Sequence, residues 1–560
     1  MTLSRTQPPL IQPVFPDHLP TVGALLRYGR EQWPEADCVV TPQARLSYQN
    51  LDRYSRILAA RLADRGVAKG IRVGVLFPNG TRWVTAWAAA ARIGAVVIPI
   101  NTFYSPTEMV RFLQDSDVGV MLATDHFLNH DYLADLESQL PELAGAPREG
   151  LSLDRLPQLR RVCLWGTSDL PWVEGGIGDG LDPGDGLEDD PDTGRVDALE
   201  SSVTPSDIML ITYTSGSTGE PKGVIHGHGP LLRHGRNLAA LSDISAASRL
   251  WTPMPLCWVG GFSFTLLRAM SVGAAFITQE VFEPGAALGL IGRERASVVS
   301  AWPAAAKALV DHPDFPGTDL SSLRSGIYES LVPERRPPDP GLAVSSLGMS
   351  ETAGPHTFWF PGEQQSGSPE EYRGNFGHEV PGTEHRIIDP DTGLDMAPGQ
   401  EGEVLVRGYS LMLGIHRRER AEVFDADGWY HTGDRGYFRD GWFFFTGRQS
   451  DLIKTAGSNV APAEVEACLS QCLGVKHAFV VGVPHPDRGQ DVVALVVPGA
   501  GAQLDADHLR GRLKSELSSY KVPRHFLFVT GEDVPYLTSQ KADRSGLVAL
   551  AQRLVSHARS

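Results

Sequence analysis

The strongest constraint on how this chain can fold is the alternation of two hydrophobic spacings along its first third. Ala24 to Trp33, Tyr48 to Arg65 and Pro106 to Asp115 carry apolar residues at helical intervals. Asp37 to Thr41, Arg72 to Phe77 and Gly94 to Ile100 are short apolar runs of strand length between them. Val84 to Ile98 is the most apolar stretch, broken by Arg92 and ended by Pro99. It is too short to span a membrane and reads as a buried helix running into a strand. Parallel strands must be joined by crossovers, usually helices. The alternation therefore predicts an α/β domain with a largely parallel sheet.

The rhythm breaks between Thr167 and Asp207, a stretch rich in Gly, Asp and Pro. It reads as a solvated surface loop without the ligand spacing of a calcium site. Apolar segments resume from Ile208 to Ile277 and from Val298 to Trp302. From Gly377 to Phe445 short β-rich pieces lie between Gly and Asp turns: His385 to Ile388, Gly402 to Arg407, Gly436 to Phe438 and Trp442 to Phe445. That texture predicts a small β-rich subdomain. Past Arg448 the expected order is helix (Ala461 to Leu473), strand (Val475 to Val483), strand (Val492 to Val497), helix (Ala506 to Leu517). This is a compact α+β unit of about a hundred residues. We find no internal repeat.

With 560 residues the chain has ample length for several domains and needs no metal or disulfide staple. Its net charge of −17 argues against nucleic acid or an anionic membrane as a partner. Cys38, Cys163 and Cys257 read as small core residues, and Cys468 and Cys472 as one helix face. The first residues contain no apolar signal core. A reducing, cytoplasmic setting is expected.

Chemistry enters at Thr212 to Val224, TYTSGSTGEPKGV, directly after the strand-like Ile208 to Ile211. Five Ser or Thr residues and two glycines precede Lys222. Glycines let backbone N–H groups approach an anion, hydroxyls add donors and the lysine supplies a point charge for phosphate. No Ser or Thr follows Lys222, so this is not the P-loop of NTPases.

TSGSTGEPKG resembles the phosphate-binding loop of the adenylate-forming superfamily, which includes acyl-CoA synthetases, peptide-synthetase adenylation domains and beetle luciferases. Other family elements follow in order. Leu347-Gly348-Met349-Ser350-Glu351 resembles the aromatic-Gly-x-Thr-Glu element. Tyr430-His431-Thr432-Gly433-Asp434 resembles Tyr-x-Thr-Gly-Asp. Gly447-Arg448 with Asp451, Lys454, Gly457 and Pro462-x-Glu464 resembles the passage into a mobile C-terminal domain. Lys541, with Arg544 after it, resembles the catalytic lysine element. The similarity runs from about Thr21 to Leu547, nearly the whole chain.

The resemblance implies an α/β fold in three parts. These are a large N-terminal domain (1–447) of parallel-sheet halves plus the β-rich subdomain, a hinge (448–451) and a small mobile α+β domain (452–560). It implies ATP, Mg²⁺ and coenzyme A as cofactors and co-substrates. Thr214, Ser215, Gly216, Ser217, Thr218 and Gly219 would cradle phosphates with Lys222 beside them. Glu351 would hold the metal, a hard ion that prefers oxygen. Ser350 would meet the α-phosphate, Asp434 the ribose, and Arg448 the ribose or phosphate. Leu347 stands at the adenine position, and Lys541 would bridge the carboxylate and α-phosphate as charge develops.

Gly457, in Lys454 to Asn459, would let a pantetheine arm pass close to the backbone; the same small residues also suit a plain helix entry. Trp258, Trp302, Gly326, Ile327 and Ser346 are the candidate acyl-site residues, with Tyr328 beside them. No Asp stands where peptide-synthetase domains hold an α-amino group, so an apolar carboxylic acid is expected. The reaction implied is an acyl-CoA ligase acting through acyl-AMP. The alternatives are transfer of the acyl group to a carrier protein or an amine, and mainly thioesterification of a preformed acyl-AMP; the macromolecular partners these imply are a carrier protein or a partner adenylating enzyme. Leu347 for an aromatic residue, Ser450 at the hinge and Gln540 before Lys541 depart from the family pattern. The chain is expected to be a monomer or a homodimer with no integral membrane segment.

Overall fold

The computed structural model describes residues 12–185, 194–215, 221–332, 342, 345–360, 363, 368–448, 452–499, 501–535 and 542–559. The expected helices and strands of the first third form within a residue or two of their apolar spacing, for example Tyr48–Asp64 and Arg72–Leu76. Arg72–Leu76 lies inside an eight-stranded sheet, parallel to Val96–Pro99 on one side and Val120–Ala123 on the other. Ile208–Ser215 continues it in parallel and then pairs antiparallel with Pro221–Gly227. A second, six-stranded sheet runs parallel from Ser325–Gly326 to Asp37–Val40 and closes with the antiparallel Arg45–Ser47.

Helices Tyr48–Asp64 and Thr81–Arg92 belong to the largest hydrophobic cluster, which draws on strands of both sheets. Arg92 explains the break in that apolar run. Its guanidinium is 0% exposed. It donates to Asp52 Oδ1 at 2.8 Å, to the Asp52 carbonyl at 2.9 Å, to Ser55 Oγ at 2.7 Å and to Glu200 Oε2 at 3.0 Å. Burial pulls its pKa down to about 10, against the pull of Asp52. A buried ion survives only when its hydrogen-bonding groups are matched in this way.

One expectation is corrected. Thr167 to Asp207 is not a uniformly solvated loop. Trp172, Val173, Ile177, Leu181 and Val196 are buried, Val173–Glu174 forms the sheet edge and Gly194–Ser201 is a helix. Cations on neighbouring elements make this possible. Arg65 and Arg161 pair with Glu174, and Arg61 donates to the carbonyls of Ile177 and Asp179. The acidic residues 186–193 lie outside the described residues.

The β-rich texture forms a four-stranded antiparallel sheet of Thr383–Ile388, Gly402–Gly408, Tyr430–Arg439 and Trp442–Arg448. After residues 449–451, which are not described, a new five-stranded sheet begins at Ile453–Thr455. Its long hairpin, Val475–His485 with Gly489–Pro498, is flanked by helices Pro462–Ser470, Ala506–Glu516 and Arg544–Arg559. Cys468 and Cys472 are both buried, but only Cys468 is on the first of these helices, which ends at Ser470 with Cys472 just beyond it; the Cys468 thiol donates to Glu516. Among the described residues no cluster of three or more His, Cys, Asp or Glu is placed to hold a metal ion. No described helix is long and apolar enough to cross a membrane.

Replacing Arg92 by Ala should lower the unfolding free energy of this domain by about 3–5 kcal/mol, because Asp52 and Glu200 lose a buried counter-charge. Arg30→Ala removes only the half-exposed partner of Asp52 and should cost about 1 kcal/mol or less. Urea midpoints of the two variants measure the contrast.

Candidate active site

A cavity of about 960 Å³ lies where the parallel sheet, the segment from Ser346 to Pro355 and the C-terminal unit meet. Its floor is built by strand register. In the antiparallel pair after Ile208, Thr214 stands opposite Lys222 and Ser215 opposite Pro221. Thr214 lines the cavity. Gly216, Ser217, Thr218 and Gly219, between those strand ends, lie outside the described residues, as does the Ser215 side chain.

Lys222 does not stand alone. Its ammonium donates to Glu351 Oε1 at 3.3 Å and to the Tyr430 hydroxyl at 3.2 Å. The Tyr430 hydroxyl donates to the same Glu351 oxygen at 3.1 Å. Three elements distant in sequence thus share one polar knot. Tyr430 is the residue that sequence reasoning passed over. Its signal was the first letter of the YHTGD motif, whose last letter, Asp434, drew the attention.

The backbone around Glu351 is also fixed. Ser350–Thr352 forms a single tight turn, closed by Ala353 in the left-handed region at φ 61°. The buried His226 ring donates through Nε2 to the Ser350 carbonyl at 2.8 Å, and Met412 N donates to the Glu351 carbonyl at 2.7 Å. Burial lowers the His226 pKa to about 4, so the ring is neutral. His226 was also missed. A single histidine in a strand carries no sequence signal of what its ring will face.

Asp434 is fully buried, with its backbone N–H on Thr432 Oγ1 and its strand partner Arg448 opposite. The Arg448 side chain lies outside the described positions. Leu347 is placed differently from Ser346 and Ser350. Those two line the cavity, whereas Leu347 packs with Val404, Val406 and Phe443 beneath the β-rich sheet.

The acyl candidates divide. Trp258 lines the cavity with Val259, Phe264, Gly354 and Pro355, an apolar wall. Cys257 lines it too, rather than being plain core, and burial pushes its thiol up to about 12. Gly326 and Ile327 do not line it. Gly326 has φ +94°, and a Cβ there would collide with the Val299 carbonyl oxygen. Ile327 packs against the second sheet's cluster. The Tyr328 side chain is outside the described positions.

Trp302 also stands away from this lining and meets the C-terminal unit instead. Lys454 to Asn459 is a hairpin between Ile453–Thr455 and Ser458–Val460, not a helix entry. Its two turn residues, Ala456 and Gly457, have φ of 47° and 86°, as a tight hairpin with both central residues left-handed requires. A Cβ on Gly457 would come within 3.1 Å of the Trp302 ring. Gly457, Ser458 and Asn459 form part of the cavity wall. Lys541 lies outside the described residues. Just beyond it, Arg544 is anchored to Glu466 at 2.7 Å.

His226, His228 and His234 are all buried, with pKa values lowered by burial to about 4, 4 and 3. Each ring is neutral in the folded chain but takes a proton in the unfolded chain below its ordinary pKa of 6.5. Stability should therefore fall as pH drops from 6.5 towards 4, by about 2 kcal/mol per ring at pH 5. Urea midpoints at pH 7.5 and pH 5 measure this, and His226→Leu should shrink the difference.

Comparison with known proteins places this geometry. The model for AMP-binding enzymes matches residues 26–416, and that for the AMP-binding enzyme C-terminal domain matches residues 464–541. The chain is 30% identical to the putative acyl-CoA synthetase YngI of Bacillus subtilis, over 94% of this chain and 96% of that protein. It is also 30% identical to the indoleacetate–CoA ligase of Aromatoleum aromaticum, over 93% and 96%. Among solved structures, the amide bond synthetase McbA of Marinactinospora thermotolerans superposes with a TM-score of 0.76 at 26% identity, covering 94% of this chain and 99% of that one. The chain belongs to the AMP-binding, adenylate-forming enzymes, and acyl-CoA synthetases and ligases are among its relatives.

Proposed function

We propose that this enzyme activates an apolar carboxylic acid with ATP and transfers the acyl group to the thiol of coenzyme A. The observation that carries this reading is the continuity of the cavity. One wall holds Thr214, Met349 and Ser350, the next is the apolar surface of Trp258, Val259, Phe264 and Pro355, and the third is the Gly457 hairpin. A nucleotide, an apolar acid and a slender acceptor can meet in such a space.

In the first step a carboxylate oxygen attacks the α-phosphorus of ATP, forming acyl-AMP and releasing pyrophosphate. Lys222 and the loop before it hold the β- and γ-phosphates, Asp434 and Arg448 the ribose, and Lys541 the carboxylate and α-phosphate. The donor set suits Mg²⁺. Glu351 offers a carboxylate beside the Thr214 strand end, and the ion ordinarily takes one or two carboxylates plus phosphate oxygens. When bound, it would neutralise charge on the phosphates. In the second step the thiolate sulfur bonds to the acyl carbon and AMP leaves. The absence of a side chain on Gly457 lets the hairpin sit against Trp302 while Gly457, Ser458 and Asn459 face the cavity where the acceptor arm would enter. All five cysteines are free thiols, in keeping with a reducing cytoplasm.

A second reading keeps the first step and changes the acceptor to an amine or a carrier-protein thiol. The structural likeness to an amide bond synthetase favours weighing it. Pyrophosphate release from ATP with aliphatic, aromatic and polycyclic acids separates these readings. Turnover only with coenzyme A supports the ligase. Release that coenzyme A leaves unchanged supports the amine or carrier acceptor. No release with any acid, but thioester formation from supplied acyl-AMP, would move the chain to thioesterification alone. Lys541→Ala should abolish pyrophosphate release, and unchanged turnover would remove that lysine from the first step.

Tyr430→Phe removes the hydroxyl joining Lys222 to Glu351. The loss of a hydrogen bond to charged groups should raise the KM for ATP about tenfold, with a smaller change in kcat.

A further inference from the structure

The seam between the N-terminal domain and the C-terminal unit contains a buried ion cluster that the chemistry above does not use. Lys521, just beyond helix Ala506–Glu516, is 7% exposed and donates to Glu108 Oε1 at 2.7 Å and to Glu464 Oε1 at 2.8 Å. Glu108 belongs to the N-terminal domain, in the first turn of helix Pro106–Ser116, and is also 7% exposed. Glu464 and Lys521 both belong to the C-terminal unit. Two hydroxyls stitch the same seam. Ser518 Oγ donates to Glu108 Oε2 at 2.6 Å, and Ser105 Oγ donates to the Glu516 carbonyl at 3.0 Å.

We propose that Glu108 is the N-terminal half of a latch that holds the C-terminal unit in the orientation placing the Gly457 hairpin at the cavity, with Lys521 as its bolt. The charge count gives the pairing a direction. One ammonium is shared by two carboxylates, and Arg111, on helix Pro106–Ser116, adds a weaker pull on Glu464 than Lys521 does. Glu464 is the strained partner. Burial raises its pKa despite Lys521, and its Oε2 is buried without a hydrogen bond. When the unit undocks, Lys521 keeps Glu464 while Glu108 returns to water. The latch therefore closes without a strong preference for staying closed, because Lys521 has a partner in either state. The docking itself is independent of which acid or acceptor is used. Its kinetic consequence, that the latch favours the transfer step over the adenylation step, rests on the function proposed above.

The two carboxylates should then respond in opposite ways to the same neutralising change. Glu108→Gln removes the cross-domain charge but preserves helix Pro106–Ser116, because Gln can replace Glu in the capping box that Glu108 forms with Ser105. Hydrogen exchange at the amides of 453–460 and 514–524 should become at least about tenfold faster, with helix Tyr48–Asp64 unchanged. Glu464→Gln leaves Lys521 paired one-to-one with Glu108, and exchange at the same amides should be no faster than in the parent. Lys521→Met, which leaves two buried carboxylates facing each other, should release the seam most. Parent-like exchange in Glu108→Gln would overturn the latch, and so would equal release in Glu464→Gln. Neither outcome depends on finding a substrate. Once an acid is known, single-turnover assays on Glu108→Gln should show transfer slowed about tenfold relative to acyl-AMP formation. A faster seam without that split would retain the latch and remove its role in partitioning the steps.

Discussion

The contact between Lys222, Glu351 and Tyr430 is the point on which the site depends. Each residue comes from a different structural layer. Lys222 ends the antiparallel extension of the large sheet, Glu351 sits in the tight turn after Gly348–Met349, and Tyr430 opens a strand of the β-rich sheet. Moving the first of these layers against the second separates an ammonium from a carboxylate, and moving the third takes the Tyr430 hydroxyl from both. The strand Pro221–Gly227 is further tied to Gly414–Ile415, so the same element that presents Lys222 also carries the link towards the β-rich subdomain. A site assembled from three layers needs such a cross-brace, because reacting groups misplaced by about 1 Å lose much of the benefit of positioning.

Charge is buried at two very different places, and the surroundings decide what it does. Arg92 lies between helices of one core, and every nitrogen of its guanidinium has an acceptor. Such a group has no second arrangement open to it and acts as a fixed pin. Lys521 lies between two bodies of the fold and is shared by acceptors on both sides. One acceptor travels with it, so separation never leaves the ammonium bare in a low-dielectric interior. A buried ion pair contributes little net stability compared with apolar packing. At a domain seam it offers orientation instead, since charge complementarity specifies which faces meet.

Much of the fold was legible in the linear order. The alternation from Ala24 to Asp115 gave away the parallel sheet because crossover helices are obligatory between parallel strands. The short β pieces after Gly377 became an antiparallel sheet for the complementary reason, that tight turns suffice there. Where legibility failed, the residues were polar in sequence but covered in space. Thr167 to Asp207 read as solvated, yet Trp172 and Val173 are buried and Glu174 is neutralised by Arg65 and Arg161. Arg65 is 109 positions from Glu174, and Arg161, 13 positions away, lies on the preceding strand outside the stretch, so the stretch read by itself contains neither. Trp302 shows the converse. The family resemblance of its segment put it among the acyl-site candidates, and its place against Gly457 depends on how a separate domain docks.

What the sequence determined by itself is the family: the Ser-, Thr- and Gly-rich loop before Lys222, then Glu351, Asp434 and Lys541, appear in the order of the adenylate-forming enzymes, because a shared chemistry constrains residue types within short motifs. What only the tertiary structure decided is which of those groups touch and what stands behind them. Tyr430 bridging Lys222 and Glu351, His226 holding the Ser350 carbonyl, Leu347 turned into the β-rich core and Glu108 meeting Lys521 all join residues tens to hundreds of positions apart. Local spacing fixes periodicity and turn chemistry within a few residues. Contacts across layers follow from how buried surfaces pack, and that information is spread over the whole chain.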